Sequence, residues 1–386
     1  PSDSQEAYDF VKLAFKLSHR WQIPFIIRTT TRIAHSNTIV EYCDGETAPL
    51  PVADFNKDIS HRVMVPGFAK PAHLRLRQKL ADMRAWNNKE GPNKIIDSKS
   101  RDLAIIADGV AFQHALEAAP DAGFFKVGMS HPLPVESIAE FAKNYKRIVV
   151  VEEGDPYMTT HLKAAGINVE DRAEKWRFGE LNVDSVKAQI AGNLDYSQPV
   201  LKMKPPQLCK GCPHVFSFAP LVELGCIVAG DIGCYTLAAM KPISGMDMQI
   251  CMGASIGMGL GLRKVLPEEK ARKVVSVIGD STFMHSGLTG LLEMVYNPPP
   301  TGHIVVDNST TAMTGQQENP GTGRKLDHTP TNAVSIERVA EAIGIQNVRV
   351  FNPVREGAQI KEFIAEKMKT NELTLVVLRQ TCILAA

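Results

Sequence analysis

The chain of 386 residues lacks any long hydrophobic run that could cross a membrane. An apolar, glycine-rich stretch at 251–262 ends at Arg263, well short of the roughly 18 to 20 residues that a spanning helix needs. The sequence begins at Pro1, and neither a basic segment nor an apolar signal core follows. These absences argue against a membrane protein and against secretion.

An excess of either charge is also missing. Lysine and arginine total 43 and aspartate and glutamate total 42, so the formal net charge is only +1. So small a charge creates no field strong enough to hold a polyanion, and we expect no nucleic-acid partner. With 44% hydrophobic and 22% charged residues, the composition is typical of a folded globular protein.

Cysteine is scarce, with seven residues in the whole chain. An odd number in a chain of this length does not suggest a disulfide framework. A reducing compartment would keep the cysteines as thiols or metal ligands, which predicts a cytoplasmic protein. Cys43, Cys226 and Cys251 are interpreted as small buried hydrophobic residues.

Short apolar strands alternate with helical patterns in two stretches, which predicts two α/β regions with parallel sheets. A Ser2/Gln5 capping box is predicted to open an amphipathic helix, with a strand after it at 23–28. A proline-punctuated stretch that contains a basic helix at 73–86 follows and is interpreted as a linker. The strands of the two sheets are predicted at 103–107, 125–127 and 147–151, and at 227–228, 274–278, 303–306 and 373–378.

The most informative motif, Gly279-Asp280-Ser281-Thr282, lies at the carboxyl end of a buried strand, where open α/β sheets bind ligands. About 28 residues later, after room for one loop, one helix and one strand, comes Asn308. The carboxyl ends of the two strands are therefore predicted to be neighbours.

Asp280, the amide oxygen of Asn308 and the backbone carbonyl of Thr310 would form a set of hard oxygens that suits Mg²⁺, with phosphate oxygens completing the coordination. The helix after Ser281 would offer its free N–H groups to the same phosphates, and Thr314-Gly315 lies in a second loop at this edge. A helix-capping aspartate and a simple Asp-Asn turn are the alternative. The paired spacing favours the metal site.

Gly-Asp-Ser followed at this distance by asparagine resembles the fingerprint of thiamine diphosphate enzymes. Four further segments narrow the resemblance to the large (alpha) subunit of indolepyruvate ferredoxin oxidoreductase, within the thiamine-diphosphate-dependent 2-oxoacid ferredoxin oxidoreductases, and it extends nearly end to end. These segments are 209–214 (CKGCPH), 230–236 (GDIGCYT), 251–257 (CMGASIG) and 310–315 (TTAMTG).

The resemblance implies an α/β protein in which a parallel-sheet thiamine-diphosphate-binding fold accompanies a transketolase C-terminal-like domain. Residues 1–45 would be the tail of an incomplete pyrimidine-binding domain and 46–95 a linker. Residues 96–175 would form the transketolase-like domain and 195–386 the diphosphate- and Mg-binding domain. The glutamate that activates the cofactor is expected upstream of Pro1, and the family's cysteine-rich ferredoxin-like module is expected to be absent from this chain.

The activity implied is oxidative decarboxylation of arylpyruvates, especially indolepyruvate, to aryl-acyl-CoA, with ferredoxin as electron acceptor. Thiamine diphosphate and Mg²⁺ would be cofactors, and coenzyme A a co-substrate. A small (beta) subunit would be the partner in a hetero-oligomer or dimer. Two alternatives remain open, a non-oxidative thiamine-diphosphate-dependent 2-oxoacid decarboxylase and a cofactor-binding fragment that is inactive without its missing half-domain.

Cys209 and Cys212 have metal-ligand spacing. Related oxidoreductases complete a proximal 4Fe-4S cluster with two distant cysteines, and Cys234 and Cys382 match them by position. The resemblance therefore implies an iron-sulfur cluster on these four residues. Zinc, free thiols and a redox pair are the alternatives.

Three further residues have two interpretations each. His214 could act in catalysis by contacting diphosphate or substrate, or could cap the next helix. Asp231 could bind the cofactor, although its role is ambiguous. Met252 could support the bent cofactor from below or belong to the core.

Overall fold

The computed structural model describes residues 1–42, 57–197, 205–298, 303–370 and 372–385, with only the backbone of 303–306. The chain divides into two compact units, Pro1–Leu201 and Lys202–Ala386. Within the described residues, no helix is both long and apolar enough to span a bilayer.

The first unit contains a four-stranded sheet in the order β1-β3-β2-β4. Strands β2, β3 and β4 are parallel, as predicted, and β1 is an antiparallel strand at the edge. Its strands are β1 (Lys94–Ile96), β2 (Leu103–Asp108), β3 (Gly123–Val127) and β4 (Arg147–Val151). Its helices are α1 (Ser4–Trp21), α2 (Thr31–Ala34), α3 (Ile59–Arg62), α4 (Pro66–Glu90), α5 (Gly109–Ala118), α6 (Val135–Ala142), α7 (Tyr157–Ala164) and α8 (Val183–Ala191).

Both faces of this sheet are buried, because the side chains of each strand alternate between two cores. Along β2, Ala104 and Ile106 join the core that α6 and α7 cover. Ile105 and Ala107 join the opposite core, which α5 and α8 cover. This sandwich explains why the strands are almost continuously apolar in sequence.

The amino-terminal segment differs from its prediction in two ways. Helix α1 is capped by Asp3, whose Oδ1 accepts a 2.7 Å hydrogen bond from the Glu6 N–H, so the Ser2/Gln5 capping box is not the one formed. A carboxylate also suits the positive end of the helix dipole better than a hydroxyl does. Residues 24–30 have no strand partner among the described residues, so the strand predicted at 23–28 does not form.

The predicted linker at 46–95 contains the long helix α4, which buries Met83 and Asn87, although residues 43–56, including Cys43, lie outside the described residues. Within α4, Asn87 is 1% exposed and its Nδ2 donates to the carbonyls of Met129 and Pro132 at 2.8 and 2.9 Å. Strand β1 crosses the predicted boundary at 96, and α8 adds Val186 to the core beyond residue 175. The compact unit is thus wider than the predicted range 96–175.

The second unit contains a five-stranded, entirely parallel sheet in the order β5-β6-β7-β9-β8. This confirms the predicted second parallel sheet. Strand β8, which was not predicted, lies at an edge and is half-exposed, so its sequence carries no apolar run. The strands are β5 (Ile227–Ala229), β6 (Val274–Gly279), β7 (His303–Asp307), β8 (Asn347–Phe351) and β9 (Thr374–Arg379). The helices are α9 (Pro213–Glu223), α10 (Ala254–Val265), α11 (Glu268–Ala271), α12 (Asp280–Thr282), α13 (Leu288–Tyr296), α14 (Ile336–Ile343) and α15 (Gly357–Lys367).

Helices cover both faces of this second sheet as well. Val275 and Val277 of β6 pack with α9 and α15 on one face, while Ile278 packs with α10, α13 and α14 on the other. Because the strands are parallel, their carboxyl ends meet at one edge, where open α/β sheets bind ligands.

Candidate functional site

The Gly-Asp-Ser motif lies at the carboxyl end of β6, as predicted. Strand β6 ends at Gly279, and Asp280 begins a helical stretch that passes through α12, a π-helical turn at Phe283–Gly287 and then α13. Single π-helical turns occur frequently at functional sites. The motif therefore joins a buried strand to an irregular helix start.

Asp280 lies beside a second carboxylate. The parallel pairing of Gly279 with Val306 brings Asp280 next to Asp307 at the end of β7, and the two residues are 6% and 8% exposed. Burial, followed by the negative charge of Asp307, raises the pKa of Asp280 to about 7. Among the described residues, no lysine, arginine or histidine forms an ion pair with the Asp280 carboxylate, although Arg379 lines the same cavity.

Asp307, which the sequence interpretation passed over, is already paired. The Arg379 Nε donates to Asp307 Oδ2 at 2.6 Å, and Arg379 Nη2 lies 2.6 Å from Glu337 Oε1. Its position directly before Asn308 is the signal that could have identified it. The pairing leaves Asp280 as the carboxylate of the two that is free for a ligand.

The turn after β7 places Asn308 and Thr310 at the same edge. Both are buried, at 8% and 6% exposure, and Ser309 between them has a left-handed backbone with φ of 58°. The Ser309 N–H donates a 3.1 Å hydrogen bond to Asp307 Oδ1 and is also near enough to Asp280 to lower the pKa of that carboxyl. In the part of the chain that the structure describes, no hydrogen bond engages the Asn308 side chain or the Thr310 carbonyl.

These three residues fit a hard divalent cation. A buried carboxylate with a raised pKa, an amide oxygen and a carbonyl oxygen make a donor set that suits Mg²⁺ with phosphate oxygens. Among the described residues, no group of three or more His, Cys, Asp or Glu side chains could hold a metal ion. A metal ion held here would therefore need amide, carbonyl and ligand oxygens in addition to the Asp280 carboxylate.

A cavity of about 340 Å³ lies beside Asp280. It is wide enough to admit part of a small ligand, and its walls carry three carboxylates and one guanidinium. Its lining residues are Asp280, Met284, Asp307, Ser309, Gly321, Ala333, Val334, Ser335, Ile336, Glu337 and Arg379.

Asp231 is already engaged by backbone N–H groups, and its role in binding a cofactor stays a prediction. Its carboxylate is 0% exposed and accepts N–H bonds from Gly253 at 2.8 and 2.9 Å and from Ser255 at 3.2 Å. These bonds satisfy free N–H groups at the start of α10. Asp231 thus fixes the loop that carries Met252 and acts structurally.

That loop is more open than expected. Met252 is 46% exposed, so it does not belong to the core and remains available to a ligand. Cys251 is also exposed, which corrects its interpretation as a buried residue. Cys226 is half-buried, and burial raises the pKa of its thiol to about 12, in keeping with an inert side chain.

Tyr235 connects the 230–236 segment to the Gly-Asp-Ser motif, and the sequence interpretation missed it. Its hydroxyl accepts a 2.9 Å hydrogen bond from the Gly279 N–H and donates one of 3.1 Å to the Ile232 carbonyl. A Cβ atom at Gly233 or Gly279 would lie 2.4 or 2.9 Å from the tyrosine ring. The absence of side chains at the two glycines therefore leaves room for the tyrosine ring. These glycines were the sequence signal that could have identified Tyr235.

His214 stands against the edge of the Tyr235 ring, with ring centroids 5.7 Å apart. It is 3% exposed, and burial lowers its pKa to about 4, so the imidazole is neutral near pH 7. Cys212 is the N-cap of α9 and Pro213 its first residue, so the His214 side chain does not cap this helix. His214 does not line the cavity beside Asp280, and its role in catalysis stays a prediction.

Thr314 and Gly315 form an exposed turn that closes on itself. The Thr314 hydroxyl donates to Gln317 Oε1 at 2.6 Å, and Gln317 Nε2 donates to the Thr314 carbonyl at 2.6 Å. Gly315 has φ of 122°, which only glycine adopts readily. Neither Thr314 nor Gly315 lines the cavity beside Asp280.

The four cysteines of the predicted cluster come together in the second unit. The pKa of the Cys212 thiol is raised by burial and further by the charges of Cys209, Cys234 and Cys382. The Cys382 N–H donates to the Asn308 carbonyl at 3.0 Å, which places this group beside the Asp280 edge. As the side chains stand, they do not form a coordinating set among the described residues.

Comparison with known proteins gives three kinds of match. The family of the thiamine pyrophosphate enzyme C-terminal TPP-binding domain matches residues 231–378. The indolepyruvate oxidoreductase subunit IorA of Archaeoglobus fulgidus is 34% identical over 99% of this chain and 65% of its own length. The subunit of the same name from Methanothermobacter thermautotrophicus is 31% identical over 100% of this chain and 66% of its own. The chain thus spans about two thirds of these relatives.

Solved structures give weaker likenesses. The 2-oxoglutarate:ferredoxin oxidoreductase from Magnetococcus marinus has a TM-score of 0.38 and 17% identity, over 49% of this chain and 67% of that one. The thiamine diphosphate-dependent 4-hydroxybenzoylformate decarboxylase from Rhodococcus jostii has a TM-score of 0.34 and 16% identity, over 79% and 64%. Likenesses at these values bear on neither fold nor function.

Proposed function

We propose that the chain belongs to the family of indolepyruvate oxidoreductase IorA subunits and carries the thiamine diphosphate and Mg²⁺ site of such a large subunit. The observation that carries this proposal is the edge where β6 and β7 end. There the buried Asp280, which forms no ion pair among the described residues, lies at the same sheet edge as Asn308 and Thr310. The match of 231–378 to a thiamine-pyrophosphate-binding domain supports it.

In this proposal Asp280, Asn308 and the Thr310 carbonyl hold Mg²⁺, and the helix start at Gly279–Thr282 faces the diphosphate. Met252, half-exposed on a loop that Asp231 fixes, supports the organic part of the cofactor. Bound thiamine diphosphate supplies the electron sink that 2-oxoacid decarboxylation requires. The chain's own residues anchor and orient it.

The reaction we propose is oxidative decarboxylation of arylpyruvates, indolepyruvate in particular, to aryl-acyl-CoA, with ferredoxin accepting the electrons. Its support is the name shared by the relatives, at 31 to 34% identity over nearly all of this chain. A small subunit of the same enzyme would be the partner. A full-length large subunit with its small subunit should reduce a viologen dye when given indolepyruvate and coenzyme A.

We further propose that Cys209, Cys212, Cys234 and Cys382 hold a 4Fe-4S cluster, supported by their proximity in the second unit. The thiols must move closer to bind it. Anaerobically purified protein should then contain about four irons per chain and absorb broadly near 400 nm. A colourless, iron-free protein that still binds the cofactor would favour a non-oxidative decarboxylase instead.

Calorimetric titration of the chain with thiamine diphosphate tests the central proposal. Binding should require Mg²⁺ and should disappear when a chelator removes the metal. Binding of equal affinity with and without Mg²⁺ would contradict the assigned metal ligands, and no binding at all would contradict the cofactor site.

A further inference from the structure

Asn319, a residue between β7 and α14 that no motif assigns, is buried beside the Asp280 site. It is 7% exposed, and Gly321, two residues on, lines the same cavity as Asp280 and Ser309. A polar side chain this deeply buried normally has partners for all its hydrogen-bonding atoms. The partners of Asn319 are therefore informative.

The backbone around Asn319 fixes the direction of its amide. Its Oδ1 accepts a 2.9 Å hydrogen bond from the Gly321 N–H, so Nδ2 must point the other way. Its carbonyl also accepts from the Thr322 N–H at 3.0 Å and from the Thr322 hydroxyl at 2.9 Å. The turn thus holds the Asn319 side chain so that its Nδ2 donor points away from the backbone of residues 319–322.

Among the described residues, Nδ2 is buried and has no hydrogen-bond partner of good geometry. The Asn319 amide is nevertheless near enough to Asp280 to lower the pKa of that carboxyl, against the larger effects of burial and Asp307. A buried donor without a partner is costly, whereas a donor to a carboxylate is among the stronger hydrogen bonds. The donor therefore has a natural acceptor at the ligand site.

Asp280 needs such a partner, because its neighbour Asp307 repels it and is itself held by Arg379. Among the described residues, the Ser281 N–H donates to Asp280 Oδ1 at 2.8 Å, while the nearby Ser309 N–H donates to Asp307 Oδ1 at 3.1 Å. Neither is a side chain that could hold the carboxylate against repulsion from the β7 side.

We propose that Asn319 is a positioning residue, which donates from Nδ2 to the Asp280 carboxylate and fixes the orientation in which that carboxylate meets the cation. This inference rests on the proposed Mg²⁺ role of Asp280. Partners that orient metal ligands typically contribute 10- to 100-fold to metal affinity.

Two measurements on Asn319→Ala test it. In the presence of thiamine diphosphate, the apparent dissociation constant for Mg²⁺ should rise about 10-fold or more. Thr322→Ala is the matched control, because it loosens the same turn and leaves Nδ2 in place. It should change Mg²⁺ affinity less than about threefold. An unchanged affinity in Asn319→Ala, or an equal rise in both variants, would overturn the proposal.

The second measurement needs no ligand. Thermal unfolding of Asn319→Ala, Asp280→Ala and the double variant should give midpoint shifts that do not add, because the two side chains share one hydrogen bond. Additive shifts would overturn the positioning role even if Mg²⁺ binds. If instead the shifts are non-additive but the chain binds no Mg²⁺ with the cofactor, Asn319 holds Asp280 and the proposed function fails.

Discussion

The two units carry polar residues at the strand ends of a parallel sheet, but they differ in the ion pairs formed there. In the first unit, Lys126 of β3 is 1% exposed and is paired with both carboxylate oxygens of Glu6. In the second unit, Asp280 after β6 has a carboxylate neighbour and forms no ion pair among the described residues. We call the strand ends of the first sheet, where Lys126 pairs with Glu6, the closed edge. We call the strand ends of the second sheet, where Asp280 lies without an ion pair among the described residues, the open edge.

The same contrast holds for the next acids along the first edge. Glu152, after β4, accepts hydrogen bonds from the N–H groups of Met158 and Thr159 at 2.7 and 3.0 Å, at the start of α7. Burial, and next the negative charge of Glu152, raise the pKa of Asp108 at the end of β2, while the amino terminus, Arg28 and Lys126 lower it. The comparison teaches that topology places acids at the strand ends of both sheets, whereas the ion pairs formed there determine how much negative charge is left for a ligand.

The largest effect expected is on the open edge. Asp280→Ala should weaken Mg²⁺-dependent binding of thiamine diphosphate by about 100-fold or more, because it removes the charged ligand of the cation. Calorimetric titration would measure the loss, and circular dichroism would verify that the fold is retained. Unchanged affinity would contradict the comparison, because the Asp280 carboxylate would then not be the group that binds the cation.

On the closed edge, Glu6→Ala should lower the free energy of unfolding of the first unit by about 3 kcal/mol, because it leaves the Lys126 ammonium buried without a partner. Denaturant unfolding followed in the first unit would measure it. Asp102→Ala is the control, because its pair with Lys146 is exposed to solvent and its loss should have a much smaller effect than the loss of the buried pair. Equal effects in both variants would mean that the buried pair is not what closes this edge.

Tyr235→Phe sharpens the description of the open edge. It should cost about 2 kcal/mol in the second unit, because the buried N–H of Gly279 loses its acceptor. Chemical denaturation would report the loss. Tyr296→Phe, at an 82% exposed position, provides the comparison and should be neutral. Neutral behaviour of both would show that the hydroxyl of Tyr235 does not hold the end of β6.

The smallest effect expected is a pH dependence of the closed edge. Burial by itself would raise the pKa of Glu6, but hydrogen bonding and attraction from Lys126 hold it below its usual value of 4.5. A lowered carboxyl pKa stabilises the folded state above the unfolded pKa, and this stability is lost as the pH falls through the folded pKa. Urea unfolding between pH 6 and 3 should show a loss below about pH 4.5 that is smaller in Glu6→Gln. Identical profiles would contradict this.

Much of the open edge was predictable from local pattern. The apolar runs that became β6 and β7, and the polar residues Asp280 and Asn308 that follow them, are contiguous in sequence. Parallel connectivity then requires that the two strand ends meet. Helix limits and the edge strands β1 and β8 were harder, because half-exposed strands carry little apolar periodicity.

The sequence by itself predicted the parallel strands of both sheets and the identity of the residues at the strand ends, because these depend on local composition and spacing. Tertiary structure alone decided which polar groups are already satisfied. It engages the Asp231 carboxylate in hydrogen bonds at the start of α10, pairs Asp307 with Arg379 and brings Asn319 near Asp280. Pairing depends on contacts between residues far apart in the chain, and burial sets the free-energy cost of leaving a charge unpaired.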